Sequence, residues 1–226
     1  MMRAERASRP TITDCVLEPE MWGASQFSSQ APASVSSVKR VLLCLCLVLT
    51  ACVSHEVDLS RQSPATFADE PGGFEIAEVT RVVDGDTIEV RILERNDGPG
   101  AGQAKIGGVF SVRLVGIDTP ESVKPGTPVQ CFAKEASGAA KAMLEGAEVT
   151  LVKDVEETDR YDRLLRYVYL GEEMVNARLV LNGYAKVYTY PPNVRHSKLF
   201  VMLQREARAT DAGLWGPDTC NGETDA

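Results

Sequence analysis

Two short stretches hold the residue types that could do chemistry: Val83-Asp84-Gly85-Asp86-Thr87 and Arg113-Leu114-Val115-Gly116-Ile117-Asp118-Thr119-Pro120-Glu121. Each reads as a β-strand running into a turn rich in oxygen ligands. Alternation along an extended chain puts Asp84 and Asp86 on one side. The second stretch ends in a carboxylate, a threonine, a proline that fixes the turn, and a further carboxylate. Four acidic groups and one arginine brought to one point repel each other unless a cation neutralises them. A hard divalent ion such as Ca²⁺, held by Asp86, Asp118 and a backbone carbonyl, suits such donors. Glu121 would then stand beside the ion and act on water, and the planar fork of Arg113 matches phosphate oxygens. The bland reading is a pair of turn-capping aspartates and a salt-bridged strand arginine. The chemical reading is attack on a phosphodiester.

The elements that must position these residues can be read from hydrophobic periodicity. Phe74–Val83 and Thr87–Ile92 alternate as strands, 94–108 is a long hairpin loop with Asn-Asp-Gly-Pro-Gly and Gly-Gly signals, and Val109–Ile117 is the next strand. Further strands are expected at Glu148–Val155, Leu164–Leu170 and Tyr184–Tyr190. Helices are expected at Phe132–Leu144, Met174–Leu181 and His196–Ala212, the last with Leu199, Met202, Leu203 and Ala207 on its buried face. The charged loop Thr158–Arg163 lies between two strands, where it can reach back over the acidic turns.

Together these segments resemble the staphylococcal nuclease-like (thermonuclease) family. The resemblance rests on "VVDGDT", "VRLVGIDTPES", "TDRYDRLLRYVY", "VNARLVLNGYAKV", "YTYPPN" and "REARATDAGLWGPDTC", in order from about Phe74 to Cys220. It implies an α+β fold: an OB-type five-stranded barrel with three helices. It further implies Ca²⁺ ligation by Asp86, Asp118 and the Thr119 carbonyl, with Asp84 near the metal. Glu121 matches the catalytic glutamate, and Arg113 and Arg163 match the two arginines that meet charge developing on phosphorus. Arg160 and Tyr161 match positions that hold a terminal nucleotide phosphate. Tyr188 and Tyr190, placed on one face by alternation, match those that flank the nucleotide. The implied activity is calcium-dependent hydrolysis of DNA, and of RNA also, leaving 3′-phosphate ends, by a monomer. The rivals are a catalytically silent OB-type binding module, which typically loses these acidic and arginine positions, and an envelope lipoprotein whose barrel serves assembly.

Composition bounds the remaining choices. The chain has 226 residues, 44% of them hydrophobic and 25% charged, with a net charge of −8. Four of the acidic and five of the basic residues precede Val53, leaving 28 acidic against 19 basic residues in the remainder. No general basic surface attracts nucleic acid, so affinity must come from a local cluster and a bound cation. Residues 1–52 read as a leader followed by a secretory signal, with Lys39-Arg40 before an apolar run ending Leu49-Thr50-Ala51-Cys52. That ending resembles a lipobox, which implies cleavage and a lipid anchor on Cys52, hence a bacterial cell-envelope lipoprotein; plain secretion is the competing reading. Residues 53–73 are expected to be a flexible tether, 74–220 the domain, and 221–226 a tail. Cys131 and Cys220 remain after processing, and export favours a disulfide between them over free thiols.

Overall fold

Alternating side chains wind the first half of the sequence around an apolar core. In the computed structural model, residues 59–224 are described, apart from 60, 63, 123–125 and 127. The leader, the apolar run and Cys52 lie outside the described residues. Strands β1 (Phe74–Val82), β2 (Thr87–Asn96), β3 (Val109–Leu114), β5 (Glu148–Val152) and β6 (Leu164–Leu170) pair in the order β3-β2-β1-β5-β6. A parallel β3–β6 pairing, with Arg113 opposite Leu165, closes them into a five-stranded barrel. Register shifts at Ile76/Ala77 and Val79/Arg81 bend the long β1–β2 hairpin, the usual way a sheet acquires the curvature to close. Ala77, Val79, Ile88, Val90, Ile92, Val112 and Leu114 point inward and are fully buried or nearly so. Short β7 (Glu173–Met174) extends β6. The ladder of β4 (Ile117–Asp118) and β8 (Lys186–Val187) stands apart as a second sheet.

Three helices plug and buttress the barrel: α1 (Ala133–Leu144), α2 (Val175–Leu181) and α3 (Ser197–Ala209). Alanines 136, 139 and 140 bring α1 close to its neighbours, with Leu144 beside them. Asn176 on α2 is fully buried, yet both ends of its amide are satisfied. It accepts from the Val168 N–H and donates to the Val115 carbonyl, each at 2.9 Å, which ties the helix to the barrel mouth. On α3 the buried face is Phe200, Leu203 and Ala207. Met202, expected inside, is exposed because the helix phase places Phe200 there instead. The Cys131–Cys220 disulfide forms across 89 residues. Closing a loop of that length restricts the unfolded chain by about 4 kcal/mol on the chain-entropy account.

The segment read as a tether is docked from Leu59 onward. Arg178 donates to the Leu59 carbonyl, Asn182 to the Arg61 carbonyl, and Arg61 pairs with Glu206. Thr66 bridges to Glu173, and Phe67 packs edge-on against Phe74 and Tyr169. Few apolar residues made this stretch look unanchored, but its polar groups and Phe67 find partners far away in sequence. The tail is docked too: the Cys131 N–H donates to the Thr224 carbonyl.

Glu70 is the hub of this docking. Its side chain is 1% exposed and meets Arg195 at 2.7 Å, His196 at 2.6 Å and the Tyr169 hydroxyl. Burial works against its charge, but hydrogen bonds from His196 and Tyr169, with the positive charge of Arg195, hold the carboxyl below its ordinary value of 4.5. A depressed carboxyl contributes stability above the unfolded-state pKa and loses it as pH falls through the folded one. Glu70→Gln should therefore lower the melting temperature at pH 7 and flatten its decline below about pH 4.5, where the wild type loses the same contribution. Thermal unfolding of both proteins between pH 3 and 7 reads this directly, and parallel curves would show that Glu70 is not the hub.

Candidate active site

The β1–β2 turn meets the segment that leaves β4. Asp86 Oδ2 accepts the Thr119 N–H at 2.8 Å and the Thr119 hydroxyl at 3.2 Å, and Asp86 Oδ1 takes the Thr87 hydroxyl at 3.1 Å. The contact needs glycine at 85, where a Cβ would lie 2.7 Å from Thr119 side-chain atoms. Asp84 and Asp86 converge through the turn itself, not through strand alternation as expected, since β1 ends at Val82. Asp84 Oδ1 accepts the Asp86 N–H at 3.1 Å, an Asx-type turn. Arg113 Nη2 bridges the tips, 3.1 Å from Asp86 Oδ2 and 2.9 Å from Asp118 Oδ1. Its Nη1 is fixed by the carbonyls of Leu114 and Ile117. The Glu121 backbone is clasped by Gln130, which accepts its N–H and donates to its carbonyl. The Glu121 charge is near enough to raise the Asp118 carboxyl, after burial and Asp86.

Arg113 also opens onto a cavity of about 490 Å³ lined by Arg160, Tyr161, Arg163, Tyr188 and Tyr190 among others. Arg163 is held by Asp159, 2.7 Å away at both Nε and Nη2. Burial opposes the Asp159 charge, but the Arg163 side chain, with N–H groups of Arg163 and Tyr161, brings its carboxyl below the ordinary range. Arg160 lies over the Tyr161 ring at 4.7 Å and donates to its hydroxyl. Tyr188 and Tyr190 are 55% and 63% exposed, so their rings are available to a partner. They follow β8, which ends at Val187, Tyr190 being bridged to Asn193, and both line the cavity.

Comparison with known proteins fits this geometry. The staphylococcal nuclease homologue family model matches residues 111–217. The chain is 42% identical over 137 residues to a thermonuclease of Staphylococcus intermedius, covering 74% of that protein and 61% of this one. It is 40% identical to the thermonuclease of Staphylococcus hyicus over 73% of that protein. It is also 34% identical to the SPbeta prophage-derived endonuclease YokF of Bacillus subtilis (strain 168), over 45% of that protein. The chain belongs to the staphylococcal nuclease family. It is a hydrolase of the nuclease class.

The charge balance of this nuclease's site indicates what it would hold. Burial and the Asp86 charge raise the Asp84 carboxyl to about 6. Crowding by protein atoms, then Asp86 and Glu121, raises Asp118 against the opposing pull of Arg113 and Lys186. The cluster thus carries more negative charge than its arginine neutralises, and its donors are all oxygen, which fits a hard divalent cation. Among the described residues no three His, Cys, Asp or Glu side chains stand ready-made as a metal cage; Asp86 is engaged by Thr119 and Arg113.

Sequence reading missed three supporting residues. Asp159 holds Arg163, Thr87 bonds both Asp86 and Arg163 (the latter at 3.5 Å), and Lys186 pairs across β4–β8 with Asp118. Only Asp159 left a trace in the sequence, as the acid four residues before Arg163. Its loss should leave Arg163 unaimed: Asp159→Ala is expected to lower kcat/KM on single-stranded DNA by about a hundredfold, the scale of an ångström's misplacement. The far-ultraviolet circular dichroism should be unchanged. A wild-type rate would show that Arg163 needs no such support.

Proposed function

We propose that the protein hydrolyses phosphodiester bonds of DNA, and of RNA as a second substrate, leaving 3′-phosphate ends and acting as a calcium-dependent monomer. The observation that carries this reading is the junction of the two turn tips: Arg113 spans Asp86 and Asp118 and lines the cavity that Arg163 lines too. A diester seated there meets two guanidinium groups. Attack by water raises the charge on its phosphoryl oxygens, and the arginines favour that extra charge where it develops. Glu121, clasped through its backbone by Gln130, orients the water and accepts its proton. Asp86, Asp118 and the Thr119 carbonyl would hold Ca²⁺, which polarises the phosphoryl group when bound. Arg160 and Tyr161 hold a terminal phosphate, while Tyr188 and Tyr190 stack on the nucleotide.

The test uses the purified chain with labelled DNA and RNA in Ca²⁺, in Mg²⁺, or with chelator. Cleavage in Ca²⁺ should stop on chelation. Glu121→Gln and Arg113→Ala should each lower kcat by about two to three orders of magnitude, the usual cost of removing a base or a charge-stabilising donor. Undiminished cleavage in chelator would remove the metal from the reading, and full activity of Glu121→Gln would remove the base. We extend the proposal to localisation: Cys52 carries a lipid that holds the protein at the bacterial envelope. Cys52→Ser should move it from the membrane fraction to the soluble one on fractionation, and an unchanged distribution would refute the anchor.

A further inference from the structure

Glu121, which acts on water in the proposed reaction, sits at the start of an irregular stretch. Among the described residues, no helix or strand lies between Asp118, where β4 ends, and Ala133, where α1 begins. The Glu121 backbone is set instead by Gln130. Gln130 Oε1 accepts the Glu121 N–H at 2.6 Å, and the Gln130 N–H donates to the Glu121 carbonyl at 3.0 Å. Two bonds from one residue fix both the place and the direction of that peptide, provided Gln130 itself is held.

What holds Gln130 lies at the far end of the chain. Cys131 follows it directly and is joined to Cys220, 89 residues on. The Cys131 N–H also donates to the Thr224 carbonyl at 3.1 Å, so residue 131 is tied to the tail twice. The tail is a firm base for this. The Asn221 N–H donates to the Gly216 carbonyl at 3.0 Å and the Gly222 N–H to the Leu214 carbonyl at 2.9 Å. Gly222 lies so close to Trp215 that a Cβ there would stand 2.8 Å from the ring, and Leu214 and Trp215 are both buried. The same tail reaches toward Asp118. Lys186 Nζ donates to the Thr224 hydroxyl at 3.0 Å, and Lys186 pairs with Asp118 across β4–β8.

Building on the nuclease reading above, we propose that the Cys131–Cys220 crosslink positions Glu121 through Gln130, so that turnover depends on the disulfide being formed. A dithiol reductant reverses the device. It gives the S–S bond two electrons and two protons, leaving Cys131 and Cys220 as thiols and itself as a cyclic disulfide. Residue 131 then keeps only its hydrogen bond to the tail, and the clasp on Glu121 loosens. Arg113 and Arg163 are held by other partners, the Leu114 and Ile117 carbonyls and Asp159, so substrate binding is retained. An enzyme built this way is slow in a reducing compartment and reaches its full rate where disulfides persist.

The test measures kcat and KM of the full chain on labelled single-stranded DNA in Ca²⁺, oxidised and after treatment with dithiothreitol. Reduction should lower kcat by roughly ten- to hundredfold, the scale of a misplaced catalytic group. KM and the far-ultraviolet circular dichroism should not change, and reoxidation should restore the rate. Oxidised Gln130→Ala should show the same loss, and reducing it should add little, because both changes remove one support. Cys131→Ser combined with Cys220→Ser should be slow in either buffer, which separates this pair from the other cysteines. Amide hydrogen exchange reads the clasp without turnover: the Glu121 N–H should exchange faster after reduction while β1 and β2 stay protected. Equal kcat in both redox states would overturn the proposal, as would losses from reduction and Gln130→Ala that multiply. Loss of the folded spectrum along with the rate would also overturn it, by making the crosslink a support of the fold alone. Failure of the oxidised protein to cleave DNA would instead refute the nuclease reading, and Glu121 exchange would still decide the coupling.

Discussion

The site depends on one contact, the grip of Asp86 on Thr119. Neither turn could hold its chemistry alone, because four carboxylates along two tips would separate to relieve their repulsion. Two hydrogen bonds from Thr119 to one carboxylate oxygen, with Arg113 on the same oxygen, oppose that separation. The carboxylate is 8% exposed, so these charge-assisted bonds act where water screens them little. Gly85 is the steric condition for the approach. The barrel provides the rest: Thr87 pairs with Arg113 across β2 and β3, so the tips begin from adjacent strands and have little distance to close.

The fold was legible where one side of an element is wet and the other dry. Thr87–Ile92 alternates because its inward residues are buried, and the 3.6-residue period of α1 follows its alanine face. The acidic turns, the arginines and the cysteine pair were legible because their residue types and order recur in a known family. What could not be read is polar and distant. Glu70 sits among Pro, Gly and Asp in a stretch with the texture of a linker, and its partners lie 99 to 126 residues away. No local pattern announces such a match. Tyr188 and Tyr190 illustrate the converse: the strand ends at Val187, yet the segment after it brings both residues to the cavity.

The long loop after β2 shows how an irregular segment can belong to the site's support. Gly98 packs on Gly72 and Gly73 too closely for a Cβ, the Gly100 N–H donates to the Gly72 carbonyl, and the Gly100 carbonyl accepts from Lys153. The loop then covers Arg166, whose guanidinium would overlap a Cβ at Gly102. Arg166 and Glu75 are both fully buried charges, a pairing that strand alternation alone would assign to solvent. Ala104 donates its N–H to Glu75, and Gln103 donates to Glu157.

That buried arginine accounts for the position of the cavity loop. Its Nε donates to Glu75 at 2.8 Å, its Nη1 to the carbonyls of Glu157 and Leu165 at 3.1 and 2.9 Å, and its Nη2 to the Glu157 carboxylate. A buried ion pair adds little net stability over an apolar substitute, but breaking one side of it costs about 3–5 kcal/mol. Its consequence here is direction. A planar fork satisfied on every arm has one orientation, and both Glu157 contacts fall immediately before the segment that carries Asp159, Arg160, Tyr161 and Arg163. The Thr158–Leu164 bridge and the Asp159 N–H donated to the Arg163 carbonyl close that segment into a short turn seated on this base. Arg163 is thus aimed from both sides, by Asp159 within the turn and by the Arg166 network beneath it. The β3–β6 pairing sets Leu114 of the Arg113 strand opposite Arg166 itself, so the same buried residue supports both the strand of Arg113 and the turn of Arg163.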